Sequence, residues 1–173
     1  MSITKGKRSV PLTIAMSAMM AAMVTVTTYI FQIPVPQTEG YINVGDAMVF
    51  TVGLVFGPVI GGFAGGIGSA ISDLAGGYSY FAPVTLVVKG LEGTIAGLVS
   101  NGKNFWRDVT AVSIGGIIMI SGYFLAEAFL MGFGVAVASV EIPGNLFQVV
   151  FGGVVSIPIS ATVRKFIPAL NRA

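Results

Sequence analysis

The sequence contains no cysteine and no histidine. Those absences exclude disulfides, thiolate nucleophiles, Cys/His zinc sites, haem ligation through His and a Ser-His-Asp triad. Charge is scarce too: charged residues make up 9 % of the 173 positions, against 54 % hydrophobic, and mean hydropathy is +0.90. A soluble domain carries roughly 25 % charged residues. The composition therefore excludes a soluble enzyme or soluble binding module and leaves a polytopic membrane protein. There is no G-x-x-x-x-G-K-[ST], so the chain does not hydrolyse ATP through a P-loop. Gly65-Gly-Ile-Gly68 follows no strand and is not a dinucleotide fingerprint. No catalytic or metal-ligating set stands out, so neither enzymatic activity nor a resident cofactor is expected. The net charge of +2 reads as basic residues on the cytoplasmic side of a membrane, not as nucleic-acid binding.

What the sequence does have is long uncharged runs. A span needs about 20 mostly apolar residues. The run from Val10 to Phe31 is too long for a signal-peptide core and has no cleavage site after it. Pro34, Pro36, Thr38, Glu39 and Gly40 then make an irregular loop, followed by the extended stretch Tyr41-Ile-Asn-Val44. The uncharged stretch from Ala47 to Ser72 is either one long helix or two short ones broken at Gly57-Pro58. Expected spans are 10–31, 46–57, 59–76, 83–100, 109–131 and 143–166, in one membrane domain over 1–173. Charge chooses between five and six. With six spans and a cytoplasmic N-terminus, Lys5, Lys7, Arg8, Lys103, Arg107, Arg164, Lys165 and Arg172 all lie inside, eight of the nine basic residues. The expected fold is an all-α integral membrane protein, a six-transmembrane-helix bundle with cytoplasmic N- and C-termini.

An ionisable residue in mid-bilayer costs about 2.5–3.5 kcal/mol on the insertion scale, so each needs a partner or a function. Lys89 and Glu92 share the fourth span, three residues apart. Asp73 is in the third, roughly 20 Å above its inner end at about 1.5 Å per residue. Glu127 is in the outer half of the fifth span. Asn145 and Gln148 lie in the first turns of the sixth, also outer, whereas the inner half holds only Ser and Thr. These groups form either a polar pocket open to the outside or an ion-pair lattice, such as Lys89 with Glu92 or Glu127. Tyr41, Tyr78, Tyr80, Phe81, Tyr123 and Phe129 gather at the same end, as an interfacial belt or as a wall for a flat heteroaromatic ligand. Trp106 belongs to the inner loop. On the first span, Ala15, Ala18 and Ala22 form a small-residue stripe that lets another helix come close.

Tyr41-Ile-Asn-Val-Gly-Asp46, Gly57-Pro58, Gly65-Gly-Ile-Gly-Ser69, Ser72-Asp-Leu74 and Lys89-Gly-Leu-Glu-Gly93 resemble, in order and spacing, the S components of energy-coupling factor (ECF) vitamin transporters, riboflavin-transporter-like branch. The resemblance spans nearly the full chain. It implies a multi-pass subunit of the prokaryotic plasma membrane that binds a vitamin from outside. It also implies a transmembrane coupling (T) subunit and two ABC-type ATPase subunits, which use the ATP. Carried over residue by residue, the implied pocket takes in Tyr41 and Asn43 in the loop, Lys89 and Glu92, Tyr123 and Glu127, and Asn145 and Gln148. Asp73 joins them by depth. Ala18 and Ala22, with Ala15, are the implied contact with the coupling subunit. Riboflavin and a pyridoxine- or hydroxymethylpyrimidine-like precursor are the leading ligands. The competing readings are a self-sufficient proton-coupled transporter of a small heteroaromatic solute, relaying protons through Asp73, Glu127 and Lys89, and a structural membrane subunit.

Overall fold

The structure is a computed structural model and describes residues 9–102 and 104–167. Of the basic residues that set the expected orientation, Lys5, Lys7, Arg8, Lys103 and Arg172 lie outside the described residues.

Proline lacks the N–H that a first helical turn leaves unbonded, and its φ is already helical. Four helices carry one there: α1 (Val10–Ile30), α3 (Pro58–Gly76), α4 (Ala82–Val99) and α7 (Ile142–Phe166). The short helix α2 (Asp46–Phe56) precedes α3, and Gly57 between them sits at φ 102°, which side-chain residues rarely adopt. The chain reverses at this glycine. A Cβ on Gly61 would lie 2.7 Å from the Gly53 Cα. The uncharged stretch is thus two helices folded back on each other.

α5 (Phe105–Leu125) starts earlier than the expected fifth span, because the Asn104 side chain accepts from the Trp106 N–H and caps the first turn. It runs into a π-helical turn, Ala126–Leu130. A four-residue helix α6 (Val135–Ala138) and a 3₁₀ turn (Ser139–Glu141) then lead into α7. Among the described residues, five stretches are long and apolar enough to cross a membrane: Val10–Ile30, Pro58–Gly76, Ala82–Val99, Phe105–Leu130 and Val135–Phe166. α2 is not among them. Its 11 residues reach only roughly 16 Å at about 1.5 Å per residue.

The architecture is mostly helical but not purely so. β1 (Gln32–Val35) and β2 (Gly40–Asn43) form an antiparallel hairpin, with Gln32 opposite Asn43 and Val35 opposite Gly40. Side chains alternate along a strand, so Tyr41 and Asn43 share one face. The turn holds Glu39 at φ 55°.

α2 is the buried axis: Val49, Phe50, Val52, Leu54 and Val55 are all within 1 % of complete burial. Val49 and Val52 pack on Met20, Ala21 and Val24 of α1 and on Ile60 and Ala64 of α3. Phe50 and Leu54 pack on Ala96 of α4 and on Ala111 and Val112 of α5. α3 and α4 approach backbone to backbone. A Cβ on Gly65 would lie 2.6 Å from the Lys89 carbonyl oxygen, and one on Gly66 2.7 Å from that of Leu86. Small residues are what let helices close up in lipid, where no hydrophobic drive brings them together.

The end of the bundle opposite the hairpin holds a second polar knot. Arg164 of α7 donates to Asp108 of α5 at 2.7 Å and to the Leu54 carbonyl of α2 at 3.1 Å, while Ser100 donates to Asp108 at 2.6 Å. This overturns one expectation, since the helices there carry more than Ser and Thr; Arg164, at the end of its span, is a buried structural cation. The early start of α5 is the reason, since it brings Asp108 onto a helix face opposite Arg164.

Gly65→Val is expected to lower the melting temperature of the detergent-purified chain, on the scale of about 1–3 kcal/mol for overpacking a tight contact. An unchanged melt would mean that α3 and α4 can separate without loss.

Candidate functional site

A polar cavity opens beneath the β-hairpin, between the hairpin and α1, α3, α4, α5 and α7. Its volume is about 400 Å³ including the open mouth. Seven of the residues expected at the site line it: Tyr41, Asn43, Asp73, Lys89, Tyr123, Asn145 and Gln148.

The floor is ionic. Lys89 of α4 pairs with Asp46 at the start of α2 and, at 2.9 Å, with Glu92 one turn along its own helix. All three are at most 3 % exposed. The Lys89 ammonium also lies 5.9 Å from the centre of the Tyr123 ring. The alternative pairing of Lys89 with Glu127 does not occur. Asp46, which the sequence marks only as the boundary of an uncharged run, is the partner instead. It reaches Lys89 because α2 ends early and sets its first turn against the middle of α4.

The walls are hydrogen-bonded pairs. Tyr41 donates to Asp73, and Tyr123 donates to Thr85 at 3.0 Å. Burial, with the Asp73 charge beside it, pushes the Tyr41 phenol up, so it stays protonated and donates. Gln148 accepts from the Asn43 backbone N–H at 2.8 Å and donates to Asn145 at 2.7 Å. Asn43 in turn accepts from the Gly45 N–H at 2.7 Å. Tyr78 lies against Tyr41 with ring centroids 4.4 Å apart. Thr38, in the hairpin turn, donates to Glu141.

Two expected residues do not line the cavity. Glu92 lies beneath Lys89 and acts through it. Glu127 is fully buried in the π-helical turn, with Glu141 as the charged side chain beside it. Neither Glu127 oxygen has a hydrogen-bond partner among the described residues. Of the aromatics at this end, Phe81 lines the cavity, whereas Tyr80 and Phe129 are exposed as a belt would be. Trp106, at the opposite end, is exposed and edge-on to Phe105.

Other lining residues were not expected: Thr28, Gly40, Ser69, Thr85 and Glu141. Helical spacing carries a signal for three of them. Ser69 precedes Asp73 by four residues, Thr85 precedes Lys89 by four, and Glu141, Asn145 and Gln148 fall at i, i+4 and i+7 on one face. Thr28 has no such flag within an otherwise apolar run. Counting Glu141 and Asp46, this end buries five carboxyl groups around one ammonium.

The sequence model of the family described as "ECF-type riboflavin transporter, S component" matches residues 10–165. An uncharacterised protein from the gap 3′ region of Pyrococcus woesei is 43 % identical over 143 residues, covering 82 % of this chain and 95 % of that protein. The thiamine precursor transporter HmpT of Lactococcus lactis subsp. cremoris (strain MG1363) is 27 % identical over 149 residues, covering 86 % of this chain and 85 % of that protein.

Removing one partner from a buried ion pair leaves an uncompensated charge and costs about 3–5 kcal/mol. Lys89→Met should therefore melt well below the parent. The triple variant Lys89→Met, Asp46→Asn, Glu92→Gln should recover part of that loss. If Lys89→Met alone melts like the parent, the clamp does not hold α2 to α4.

Proposed function

The chain belongs to the family of ECF-type riboflavin transporter S components, and on that premise we propose that it captures a small, weakly basic heteroaromatic vitamin precursor. The family is one of membrane-integral transporter subunits, not of enzymes. In this reading six spans cross a prokaryotic plasma membrane, α2 serving as the short second one. Both termini are cytoplasmic, and the hairpin end faces outside. The cavity takes the ligand from that side. A transmembrane coupling subunit and two ABC-type ATPase subunits complete the importer and use ATP.

The surplus of carboxyl groups at the cavity carries the ligand assignment. Lys89 is already shared by Asp46 and Glu92, so the carboxyls of Asp73 and Glu141 face the cavity with no cation of their own. A ring bearing an amino group or a protonatable nitrogen supplies the missing donors. A polyanion does not. The likeness to a thiamine precursor transporter points the same way. The family description favours riboflavin as the second reading.

In the proposed site Tyr41, Tyr123 and Phe81 stack on or edge the ring. Asn43, Asn145 and Gln148 read its polar edge, and Asp73 and Glu141 accept its donors. Lys89 positions the floor, and Glu92 holds Lys89. Glu127 is a positioning residue behind Glu141. Ala15, Ala18 and Ala22 of α1 are all exposed, while Ser17 and Ala21 between them are buried. This outward stripe supports contact with the coupling subunit.

Titration calorimetry of the purified chain with an aminopyrimidine carbinol and with riboflavin tests the ligand. The pyrimidine should bind, and Asn145→Ala should weaken it about tenfold, the equivalent of one hydrogen bond, while the chain stays folded with a modestly lowered melting temperature from the loss of the Gln148 partner. Riboflavin binding alone would overturn the pyrimidine assignment and leave the subunit assignment standing. Gradient-driven uptake by the chain alone in liposomes would overturn the latter. Ala18→Trp should leave binding intact and abolish uptake by the assembled transporter; loss of binding would place Ala18 inside the bundle.

A further inference from the structure

Among the described residues only Glu39, Arg107 and Lys165 carry an exposed charge. Glu39 is in the hairpin turn. The two cations are both at the opposite end, and neither forms an ion pair among the described residues: Arg107 gives its Nε–H to the Val99 carbonyl at 3.0 Å. At the same end a cleft of about 500 Å³, open mouth included, is lined by Gly102, Asn104, Asp108 and Arg164, the last two their neighbours in sequence. It shares Phe105 and Ile157 with a wide apolar groove of about 800 Å³ that runs up between α5 and α7 past Val109, Val150 and Pro158. The groove has a simple origin. α5 and α7 close on each other where Gly116 meets Val149 and Gly153 meets Val112 and, further along, at the Arg164–Asp108 pair. Between the two, Pro158 leaves the Val154 carbonyl without its helical donor.

The cleft has an unmet polar need. Arg164 is buried, and its terminal nitrogens are engaged by Asp108 and the Leu54 carbonyl, yet its Nε–H has no acceptor among the described residues. Asp108 is neutralised by the same guanidinium, so it does not repel an anion. An apolar trough leading into a cleft with a spare buried donor, at an end of the bundle where the exposed charges among the described residues are two cations and no carboxylate, has the chemistry of one amphiphile.

We propose that the α5–α7 groove binds a single anionic phospholipid. One acyl chain lies along the groove, and the phosphate sits at the mouth of the cleft, within reach of the Arg164 Nε–H, Arg107 and Lys165. The site is separate from the vitamin cavity, at the other end of the bundle. It gives the bundle a lipid that stays with it while bulk lipid exchanges.

Native mass spectrometry of the full chain released from detergent tests this with dioleoyl-phosphatidylglycerol and dioleoyl-phosphatidylcholine as probes. One phosphatidylglycerol should be retained in preference to phosphatidylcholine by about thirtyfold, the scale of two surface cations. Arg107→Gln with Lys165→Gln should remove the preference while leaving retention of a lipid. Ser113→Trp, at an exposed position lining the groove, should remove retention of both lipids without lowering the melting temperature. If Ser113→Trp does lower the melt, the milder Val150→Phe serves, with the same expectation. Equal retention of the two lipids by the parent would overturn the proposal, as would undiminished retention when the groove is filled. So would a photo-crosslinker at position 113 that captures the coupling subunit in the assembled transporter instead of lipid.

Discussion

Lys89, clamped between Asp46 and Glu92, is the interaction on which the hairpin half of the bundle depends. An ammonium and two carboxylates in a nearly dry interior can persist only together, since each alone would have to give up its hydration without recompense. The clamp fixes α2 against α4 and puts charge under the floor of the cavity. At the far end Arg164 ties α7 to α5 and, through the Leu54 carbonyl, to the same α2. The short helix α2 is therefore held at both ends by charge, with a jacket of apolar side chains between.

The hairpin is attached differently, and the difference bears on function. It is held over the cavity by neutral or singly charged hydrogen bonds: Tyr41 to Asp73, the Asn43 N–H to Gln148, and Thr38 to Glu141. Such bonds are worth about 0.5–1.5 kcal/mol each when neutral and about 1.5–3 kcal/mol when the acceptor is a carboxylate, less than the cost of breaking the buried clamp beneath them. A ligand that offers its own donors and acceptors to Asp73, Glu141 and Gln148 competes with the hairpin for them.

Much of the site is legible in the sequence, because burying a polar side chain among apolar ones requires a reason. Asp73, Lys89, Asn145 and Gln148 stand out in otherwise apolar runs. Depth along a regular helix is simple arithmetic, so their convergence at one end follows from residue spacing. Tyr41 and Asn43 are marked by the motif they sit in. Residues at element boundaries are not legible in this way. Asp46 and Asp108 look like ordinary charged ends of spans, and Glu141 looks like a loop residue. A boundary charge is exposed or buried according to whether the helix starts a turn earlier and what stands opposite, and capping by Asn104 decides that for Asp108. Thr28 and Ser69 are compatible with any membrane helix.

The class of this protein and the ends of its helices follow from local chemistry written in the chain. Scarce charge demands lipid, proline and glycine mark where helices start and reverse, and helical spacing brings the polar groups to one depth. The pairing of Lys89 with Glu92, three residues on, is legible in the same way, but which distant charges meet is a matter of packing. Lys89 takes Asp46, 43 residues away, and leaves Glu127 beside Glu141, because the reversal at Gly57 and the glycine contacts of α3 with α4 set α2 in the middle of the bundle. Pairing in a low dielectric depends on ångström-scale approach between distant segments, and no local pattern carries that information.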